Sequence, residues 1–538
     1  MADQLRADYL SCYGHPTLET PNIDALATRG MKFDRAYCNA AICGPSRMSF
    51  YTGRTMASHG CAYNRVPIRT DEWTLSDYMR AEGLRSALVG KTHFGANPTD
   101  VERLNLAAEG VDGRYVLECG FEPYERDDGL HPMGMFDPNL RYNQYLREQG
   151  YVSDNPWNDF VISALNDAGD VVSGFYMRNA HLPARVSAEH SETAYMTRRA
   201  IDFIREAGDE PWSLHLSYIK PHWPYIVPAP YHNMYSAKDI LPAVKDRAEL
   251  QDPHPVYEAF ATGRIGKSFS RDDVREKVIP VYMGLIKQCD DQMGRLLQYL
   301  EDSGRDKDTM IIITSDHGDY LGDHWLGEKD LFHAPSVKVP LIIYDPRPTA
   351  DKTRGTTCSN LVEAIDVTAT IIDAAGCDVP SHIVEGRSLM PYLEDREHPS
   401  PRSYVISEYD YSSHPVCRGL DVLPKDARMF MVATEDWKLV HCEGGLPPML
   451  FDLKNDPNEL IDLGRNDTFS GIRAEMYAYL HDWSLRMSQR VTMSDAEIAK
   501  KRQDGGQTGV VLGLVEETDA PAAMTAHYRG TAPARPKS

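Results

Sequence analysis

Three segments of this chain share one pattern: helical periodicity, then a short apolar run, then a loop that carries histidine with lysine or aspartate. In "GLIKQCDDQMGRLLQYLEDSG", apolar residues recur at helical spacing up to Gly304, which is a suitable C-cap. The apolar run "TMIIIT" follows and leads at once into "SDHG", which contains Asp316 and His317. Such a run is typical of a strand covered on both faces. The pattern predicts an α/β fold.

The two other segments have the same order of elements. "TLSDYMRAEGL" is predicted to be a helix and "SALVG" a strand, which runs into Lys91, Thr92 and His93. A helix within 194–207 precedes "WSLHLSYI", and the loop "KPHWP" with His222 comes next. Taken singly, these loop residues read as solvated. Ligands of open α/β sheets bind beyond the carboxyl ends of the strands, so the three loops form one site if the strands are neighbours.

The length of the chain, 538 residues, exceeds the usual size of one compact domain. We predict an α/β domain over 1–380, built on a large, mixed and mainly parallel sheet flanked by helices. After it, "RSYVISEYD", "RMFMVATEDWKLVHCE" and "PMLFDLKNDPNEL" read as shorter strands, and an amphipathic helix follows near 471–488. These elements predict a smaller antiparallel α+β subdomain over 381–500. The segment 501–538, rich in Ala, Pro, Gly and Thr, is predicted to be a C-terminal extension or arm.

The formal net charge of -22 argues against a nucleic-acid partner, because that affinity comes from cations that neutralise phosphates. A small anionic substrate remains possible, since a few local cations can dominate one pocket. No apolar run is long enough to span a bilayer and no basic-then-apolar leader precedes the fold, so we expect no membrane partner. The 10 cysteines show no CxxC and no regular spacing, which indicates reduced thiols and a cytoplasmic protein.

The stretch "CGPSRMSFYTGR" places Cys43 two residues before a proline and four before an arginine. Pro45 suits the first turn of a helix, and Arg47 follows within that helix. A group at position 43 would then face the positive end of the helix beside a guanidinium. This is a setting for a nucleophile that attacks an anion, or for a bound anion. The alternative is that Cys43 is a small buried apolar residue without a chemical role.

Two further positions offer metal ligands. Asp316 and His317 lie side by side after a buried strand, where carboxylate oxygen suits a hard divalent cation and imidazole suits Mn, Fe or Zn. The alternative is an Asx turn that closes the strand. Asp3 follows only two residues, which are too few to predict a strand. If Asp3 is functional, we expect that its supporting strand is either truncated or replaced by other packing.

Several motifs of this chain resemble the motifs of one protein family. Cys-x-Pro-Ser-Arg followed by Thr-Gly-Arg resembles the sulfatase signature of the alkaline-phosphatase superfamily. Four more segments resemble the same family in the expected order over residues 3–460: "YGHPTLETPNIDALATRGMKFDRAY", "VGKTHFG", "SDHGDYLGDHWLGEKDLFHAPSVKVPLIIY" and "LFDLKNDPNEL". The Asp-Gln start, Asn64 in "AYNRVP" and "GDHWLGEK" are similar to the subgroup of phosphonate monoester hydrolases and arylsulfatases, whereas Lys91 and His93 look sulfatase-like. The resemblance implies an alkaline-phosphatase-like fold.

The resemblance also implies roles for individual residues. In that family the signature cysteine is oxidised to formylglycine, whose hydrated aldehyde is the nucleophile. The implied metal ligands are Asp3, Asp316, His317 and the modified Cys43. The implied catalytic residues are Cys43, Arg47, Lys91, His93, His222 and Lys329, and the implied substrate-binding residues are Gln4, Asn64 and His324. Among them, His93 would be the base that regenerates the aldehyde, and Arg47 would stabilise the charge of the nucleophile.

Two departures from the family pattern bear on the metal. Many sulfatases have paired aspartates where this chain has Asp3-Gln4, and many have asparagine where it has His317. One fewer carboxylate and one added imidazole weaken the case for Ca and strengthen the case for Mn or Fe. The expected cofactor is one divalent ion, Mn or Ca, with Fe or Zn as alternatives.

The main hypothesis is formylglycine-dependent and metal-dependent hydrolysis of sulfate monoesters, of the arylsulfatase type, with promiscuity towards phosphonate monoesters and phosphodiesters. The alternatives are phosphonate monoester hydrolysis or phosphodiester hydrolysis as the main activity, a choline-sulfatase-like activity, and a non-catalytic anion-binding relative in which Cys43 stays a thiol. The expected partners are a small anionic ester, a formylglycine-generating enzyme for maturation, and further copies of the chain in a dimer or tetramer.

Overall fold

The computed structural model describes residues 1–107, 110–396, 401–485 and 491–504. Its strands are β1 (Ala2–Asp3), β2 (Met31–Phe33), β3 (Ala36–Tyr37), β4 (Arg85–Gly90), β5 (Glu122–Arg126), β6 (Ser163–Leu165), β7 (Val171–Ser173), β8 (Trp212–Pro221), β9 (Ile311–Thr314), β10 (Leu341–Tyr344), β11 (Thr356–Cys358), β12 (Val362–Glu363), β13 (Val405–Asp410), β14 (Arg428–Ala433), β15 (Trp437–Cys442) and β16 (Met449–Asp452). Nearly all of the segment predicted to be a C-terminal extension, from residue 505 onwards, lies outside the described residues.

The same residues form helices α1 (Pro21–Arg29), α2 (Cys43–Thr52), α3 (Met56–His59), α4 (Leu75–Ala81), α5 (Pro98–Arg103), α6 (Val111–Val116), α7 (Arg141–Glu148), α8 (Glu192–Ala207), α9 (Pro255–Ala261), α10 (Arg264–Phe269), α11 (Asp272–Ser303), α12 (Ala334–Val337), α13 (Ile365–Ala374), α14 (Met390–Leu393), α15 (Cys417–Leu420), α16 (Ser470–Ser484) and α17 (Asp495–Asp504). Short 3-10 turns join several of them.

The first sheet is parallel throughout, with four strands in the order β1-β8-β4-β5. Its edge strand β1 corrects the expectation that two residues before Asp3 are too few for a strand. The long strand β8 offers an open edge, on which the Met1 ammonium donates to the Leu216 carbonyl at 2.8 Å and Tyr218 donates to the Met1 carbonyl at 2.9 Å. Pairing with a long partner thus supports a strand that has no local signal of its own.

The second sheet has the order β11-β2-β10-β9 and is mixed, since β10 runs antiparallel to both of its neighbours and β11 runs parallel to β2. The predicted large mixed sheet is therefore present as two four-stranded sheets. Ser315, directly after β9, links them: its hydroxyl donates to the Ala2 carbonyl at 2.8 Å and accepts the Leu5 N–H at 2.9 Å. This link brings the loop after β9 beside the end of β1.

The predicted helices cover these sheets. Helix α11 begins twelve residues before the predicted segment and ends, as predicted, at Gly304, whose φ of 73° is left-handed. A glycine accepts this conformation without the clash that a Cβ would cause. Buried side chains of α8 and α11, among them Phe203, Ile204 and Ile286, share one apolar core with Tyr218 of β8.

Helix α2 begins at Cys43, two residues before the proline that predicted it, and every residue from Cys43 to Thr52 is buried. It ends at Gly53, whose φ of 66° is also left-handed. A helix buried on all sides belongs to the interior of a large domain. Its first residue is therefore held in place by packing along the whole helix.

The C-terminal strands form an antiparallel sheet in the order β13-β14-β15-β16, and α16 packs on it. Ile406, Val432, Leu439 and Leu450 meet Met476 of the helix in a buried cluster. These elements confirm the predicted antiparallel sheet with a following helix. All ten cysteines are free thiols. Among the described helices, none is long and apolar enough to cross a membrane.

Candidate metal and anion site

Four side chains meet at the start of α2. The Sγ atom of Cys43 lies 3.0 Å from Nε2 of His317 and 3.9 Å from Oδ1 of Asp3. Together with Asp316, these residues offer ligand atoms that all lie within 4.8 Å of one another, and all four are buried. The structure thus brings together the four residues implied as metal ligands, from the end of β1, the start of α2 and the loop after β9.

Hydrogen bonds orient two of these ligands. Oδ1 of Asp316 accepts the N–H of Gln4 and the N–H of His317, each at 3.0 Å. Nδ1 of His317 donates to the Gly318 carbonyl at 2.8 Å, which directs Nε2 of the same ring towards Cys43. A hydrogen bond at one ring nitrogen fixes the tautomer in which the other nitrogen can bind a metal.

Arg47 lies fully buried behind the carboxylates. Its Nε donates to Oδ2 of Asp316 at 2.8 Å, and its Nη2 is 3.3 Å from Oδ2 of Asp3. Its Nη1 donates at 2.8 Å both to the Lys91 carbonyl and to the hydroxyl of Ser217. Arg47 therefore neutralises two buried acids and fixes the loop after β4 at the same time.

Two lysines add positive charge in front of Cys43. Lys91 donates to Oδ2 of Asp3, and Lys329 donates to Oε1 of Gln4 at 2.9 Å. Burial alone raises the pKa of the Cys43 thiol, but the charges of Lys329 and Lys91 outweigh burial, so that this pKa lies well below its usual value. The surroundings of residue 43 thus favour a negatively charged group.

His222 is held as a neutral ring. Burial, together with the charge of Lys329, lowers the pKa of His222 to about 3. Its Nδ1 donates to the Trp223 carbonyl at 2.6 Å, and its Nε2 lies 3.3 Å from Nζ of Lys329, from which it accepts. The three loops predicted to converge therefore do meet. The loop after β4 supplies Lys91, the loop after β8 supplies His222, and the loop after β9 supplies Asp316 and His317.

Of the other predicted residues, Asn64 contacts the start of α2, and His93 lies in the loop after β4. Oδ1 of Asn64 accepts the N–H of Gly44 at 2.7 Å, beside Cys43. His93 has a left-handed backbone with a φ of 60°, and its Nδ1 is buried without a hydrogen-bond partner among the described residues. Its backbone N–H donates to Oδ1 of Asp128 at 2.9 Å.

His324 is a predicted residue that the structure places away from the cluster. Its Nδ1 is 2.7 Å from Oε1 of Glu249, and its ring stacks on His333 with centroids 4.0 Å apart. The side chain borders a different cavity of about 180 Å³, which Arg6 and Lys338 also line. His324 has a left-handed φ of 51°, whereas Lys329 of the same motif contacts Gln4 and His222 beside the cluster.

The structure adds residues that the sequence did not single out. The buried Asp319 accepts Nε2 of Gln4 and, at 2.7 Å, the hydroxyl of Tyr225, and it thereby fixes the amide that faces Lys329. Asp319 ends the motif "SDHGD", so its spacing of three from Asp316 was the available signal. Ser217 and Asp128 had no signal beyond lying near strand ends.

The donor set suits a divalent cation. Two carboxylates offer hard oxygen ligands and one imidazole offers borderline nitrogen, a combination that Mn, Fe or Zn accept readily and Ca accepts through its oxygens. A cation there would lie beside residue 43 at the positive end of α2, where an anion is also stabilised. The arrangement can therefore bind a metal ion and an anionic group together.

Comparison with known proteins gives one family. A family model described as sulfatase matches residues 1–377, and one described as N-sulphoglucosamine sulphohydrolase, C-terminal, matches residues 322–486. The multifunctional alkaline phosphatase superfamily protein PehA of Trinickia caryophylli is 29% identical over 513 residues, which cover 91% of this chain and 95% of that protein. An arylsulfatase of Clostridium perfringens is 26% identical and covers 87% and 90%. The solved phosphonate monoester hydrolase SpPMH of Silicibacter pomeroyi superposes with a TM-score of 0.79 at 26% identity, covering 91% of this chain and 96% of that one. With the family model matched over most of its length and an alkaline-phosphatase-like α/β fold, this chain is a hydrolase that belongs to the sulfatase family.

Proposed function

We propose that this protein hydrolyses sulfate monoesters, of the arylsulfatase type, and that it also accepts phosphonate monoesters and phosphodiesters. Residue 43 would act as formylglycine, formed by oxidation of the cysteine, together with one divalent metal ion. The observation that carries the proposal is the position of Cys43, buried at the first turn of α2 within 4.8 Å of three metal-ligand side chains. A structural cysteine needs neither these ligands nor these cations around it.

The metal ion would be held by Asp3, Asp316, His317 and residue 43, and it would supply Lewis-acid stabilisation of negative charge on residue 43. We propose Mn or Ca, with Fe or Zn as alternatives, because the set contains both carboxylate oxygen and imidazole nitrogen. The chain's own residues prepare this site: Arg47 balances the negative charge of the two carboxylates.

Cationic and polar side chains would bind the anionic half of the ester. Lys91 contacts Asp3 and Lys329 contacts Gln4 beside it, and each ammonium has three protons, so that both can also donate to non-bridging oxygens of a substrate. His222, which is neutral and accepts from Nζ of Lys329, would support the leaving oxygen by orienting that ammonium group towards it. The Nδ1 atom of His93 has no hydrogen-bond partner in the described part of the chain, and we assign His93 as the base that restores residue 43 for the next turnover.

A second candidate is phosphonate monoester hydrolysis as the main activity. The TM-score of 0.79 to SpPMH, over 91% of this chain, favours it. Lys91 and His93, which look sulfatase-like, favour the sulfate ester. Both candidates use the same groups, because both substrates present a singly charged tetrahedral centre with non-bridging oxygens.

One experiment separates the two candidates and also tests the modification. A peptide mass spectrum of residues around Cys43, from protein coexpressed with a formylglycine-generating enzyme, is expected to show the aldehyde. The same preparation is then assayed for kcat/KM on an aryl sulfate and on an aryl phosphonate monoester, with Cys43→Ala as the blank. An unmodified thiol in active protein would refute the formylglycine mechanism. A phosphonate preference of several orders of magnitude would make the second candidate the main activity.

Three further features belong to this proposal. We infer that a formylglycine-generating enzyme matures Cys43, since "CGPSR" resembles the sequence such enzymes modify in this family. The cysteine content, with ten free thiols, supports a cytoplasmic location. Self-association into a dimer or tetramer is proposed by resemblance alone, and sedimentation of the purified protein tests it.

A further inference from the structure

Residues 92–94 form a turn that carries His93. Two residues stabilise this turn: Arg126, which ends β5, and Asp128, which follows β5. Strands β4 and β5 are parallel neighbours, so the loops after Gly90 and Arg126 begin side by side. Oδ1 of Asp128 accepts the N–H groups of Thr92 and His93, each at 2.9 Å. Nη2 of Arg126 donates to the Phe94 carbonyl at 2.6 Å and to Oδ2 of Asp128 at 2.8 Å.

The backbone conformation of this turn explains why a carboxylate is needed. His93 has a φ of 60°, in the left-handed region that side chains with a Cβ rarely adopt, so that its surroundings must stabilise it. Successive N–H groups next to a left-handed residue converge and form a concave site for an anion. Oδ1 of Asp128 occupies that site, because it accepts both converging N–H groups.

Asp128 keeps its charge while it does this. Burial raises the pKa of the Asp128 carboxyl, but Arg126 and the N–H of His93 outweigh burial and hold that pKa below its usual range. Arg126 is itself anchored on the far side, where Nη1 donates to Glu118 at 2.7 Å. Asp128 and Arg126 therefore form a charged pair, here called the clamp, which Glu118 holds in place.

The ring of His93 has no other anchor. Nδ1 is buried without a partner, and no hydrogen bond within the described residues orients the imidazole. Lys91, two residues earlier, is held independently: its N–H donates to the Ser217 carbonyl at 3.1 Å, and its carbonyl accepts from Arg47. Loss of the clamp would thus move His93 and leave Lys91 in place.

We propose that Asp128, braced by Arg126, is the positioning residue for His93, and that it acts on the reaction only through the placement of that ring. The inference rests on the proposed function, since it needs His93 to take part in ester hydrolysis. Asp128 need not touch the substrate. The expected signature is a fall in kcat with little change in KM, because Lys91 and Lys329 would still bind the anion.

The test compares Asp128→Ala, Asp128→Asn and a control on the aryl ester that the wild-type enzyme turns over best. A misplacement of about 1 Å costs about 10²-fold in rate, so Asp128→Ala is expected to lower kcat by about that factor. Asparagine keeps an acceptor oxygen for both N–H groups, and Asp128→Asn is expected to recover most of this loss. The control is Asn166→Ala, which removes the same kind of contact in the exposed turn between β6 and β7, to the N–H groups of Ala168 and Asp170 at 3.0 and 2.8 Å. Its kcat is expected to match the wild type.

A double-mutant cycle with His93→Ala separates positioning from general damage. In that background, Asp128→Ala is expected to change kcat by no more than about twofold, because the ring it places is gone. An equal loss of kcat in both backgrounds overturns the proposal, and so does a raised KM at unchanged kcat.

A readout that needs no activity keeps the inference separate from the proposed function. The ring ¹³Cε1–¹H resonance of His93, assigned by its absence in His93→Ala, is expected to shift in Asp128→Ala and to return towards its wild-type position in Asp128→Asn. An unmoved resonance overturns the positioning role. Wild-type protein that hydrolyses none of the esters refutes the proposed function while this measurement still decides the placement.

Discussion

Replacement of Arg47 by methionine removes a guanidinium that lies between the two carboxylates of the ligand cluster. The side chain is fully buried, with Nε 2.8 Å from Asp316 and Nη2 3.3 Å from Asp3. Methionine fills much of the same volume without charge. The change therefore leaves both acids in place and takes away their shared counterion.

The size of the effect follows from which contacts survive. Removal of one partner of a buried ion pair costs about 3–5 kcal/mol. Asp3 keeps Lys91 as a second cation, so the loss falls mainly on Asp316. We therefore expect metal-free Arg47→Met to lose about 3–5 kcal/mol of unfolding free energy rather than twice that amount. The freed carboxylates should also bind a divalent cation more tightly, so that added Mn²⁺ stabilises the variant more than the wild type.

The assay is urea unfolding in a chelator and in millimolar Mn²⁺, with Arg402→Met as the matched control. Arg402 is likewise a largely buried guanidinium between two carboxylates, Glu363 at 2.7 Å and Asp366, and it has no contact with the ligand cluster. Its loss should cost a similar free energy that Mn²⁺ does not restore. Arg47→Lys, which keeps the charge without the forked geometry, should lie between the wild type and Arg47→Met.

Two results would refute this reasoning. One is an Arg47→Met protein that unfolds in chelator at the same urea concentration as the wild type. The other is a gain from Mn²⁺ that is no larger in Arg47→Met than in Arg402→Met. Either result would mean that Arg47 does not balance the two acids, or that these acids do not hold the cation.

The remaining predictions concern three positions in the chain. Cys43→Ala should abolish turnover of aryl esters and retain a cooperative thermal transition, because it deletes a reacting group and little apolar surface. Gly318→Ala should cost about 1–3 kcal/mol in urea unfolding and weaken Mn²⁺ binding in a calorimetric titration, since its Cβ would lie 1.9 Å from the Pro335 carbonyl oxygen. Burial and Arg54 lower the pKa of His59 from 6.5 to about 3, so its contribution to stability is present above pH 6.5 and is lost as pH falls towards 3. Between pH 7 and pH 5, urea unfolding should show that the wild type loses about 2 kcal/mol more than His59→Gln does; equal losses would contradict the pKa.

Much of the fold and of the ligand set could be predicted, because the relevant signals are local. The apolar run before Asp316 has the length of a buried strand, and the spacing of α11 ends at a glycine that the helix terminus requires. The neighbouring parallel strands β4 and β8 then bring two of the loops together by the general geometry of α/β sheets. Functional residues in a loop that directly follows a predicted strand can therefore be identified from a single sequence.

What could not be predicted depends on contacts between distant segments. Asp3 ends a two-residue strand that exists because β8 pairs with it. Asp128 matters through the N–H groups of a turn some 35 residues earlier, and no pattern around it signals that partner. His324 shares a motif with Lys329, yet a positive φ in between directs its ring to another cavity. Side-chain direction within a turn is set by backbone angles that residue spacing does not reveal.

The C-terminal segment "LFDLKNDPNEL" contributes to the ligand loop although it supplies no ligand. Its buried Glu459 forms an ion pair with Lys438 of β15, and Oε2 of Glu459 accepts the Ala334 N–H, at the start of α12, at 2.6 Å. Within α12, the Ser336 carbonyl accepts the N–H of Gly318 at 2.7 Å, and Gly318 directly follows the ligand histidine. A buried ion pair is costly to break, so the antiparallel sheet fixes α12, and α12 fixes the loop. The resemblance of this segment to its family therefore has a physical basis: through Glu459 and α12, the C-terminal sheet helps to hold the loop that carries Asp316 and His317.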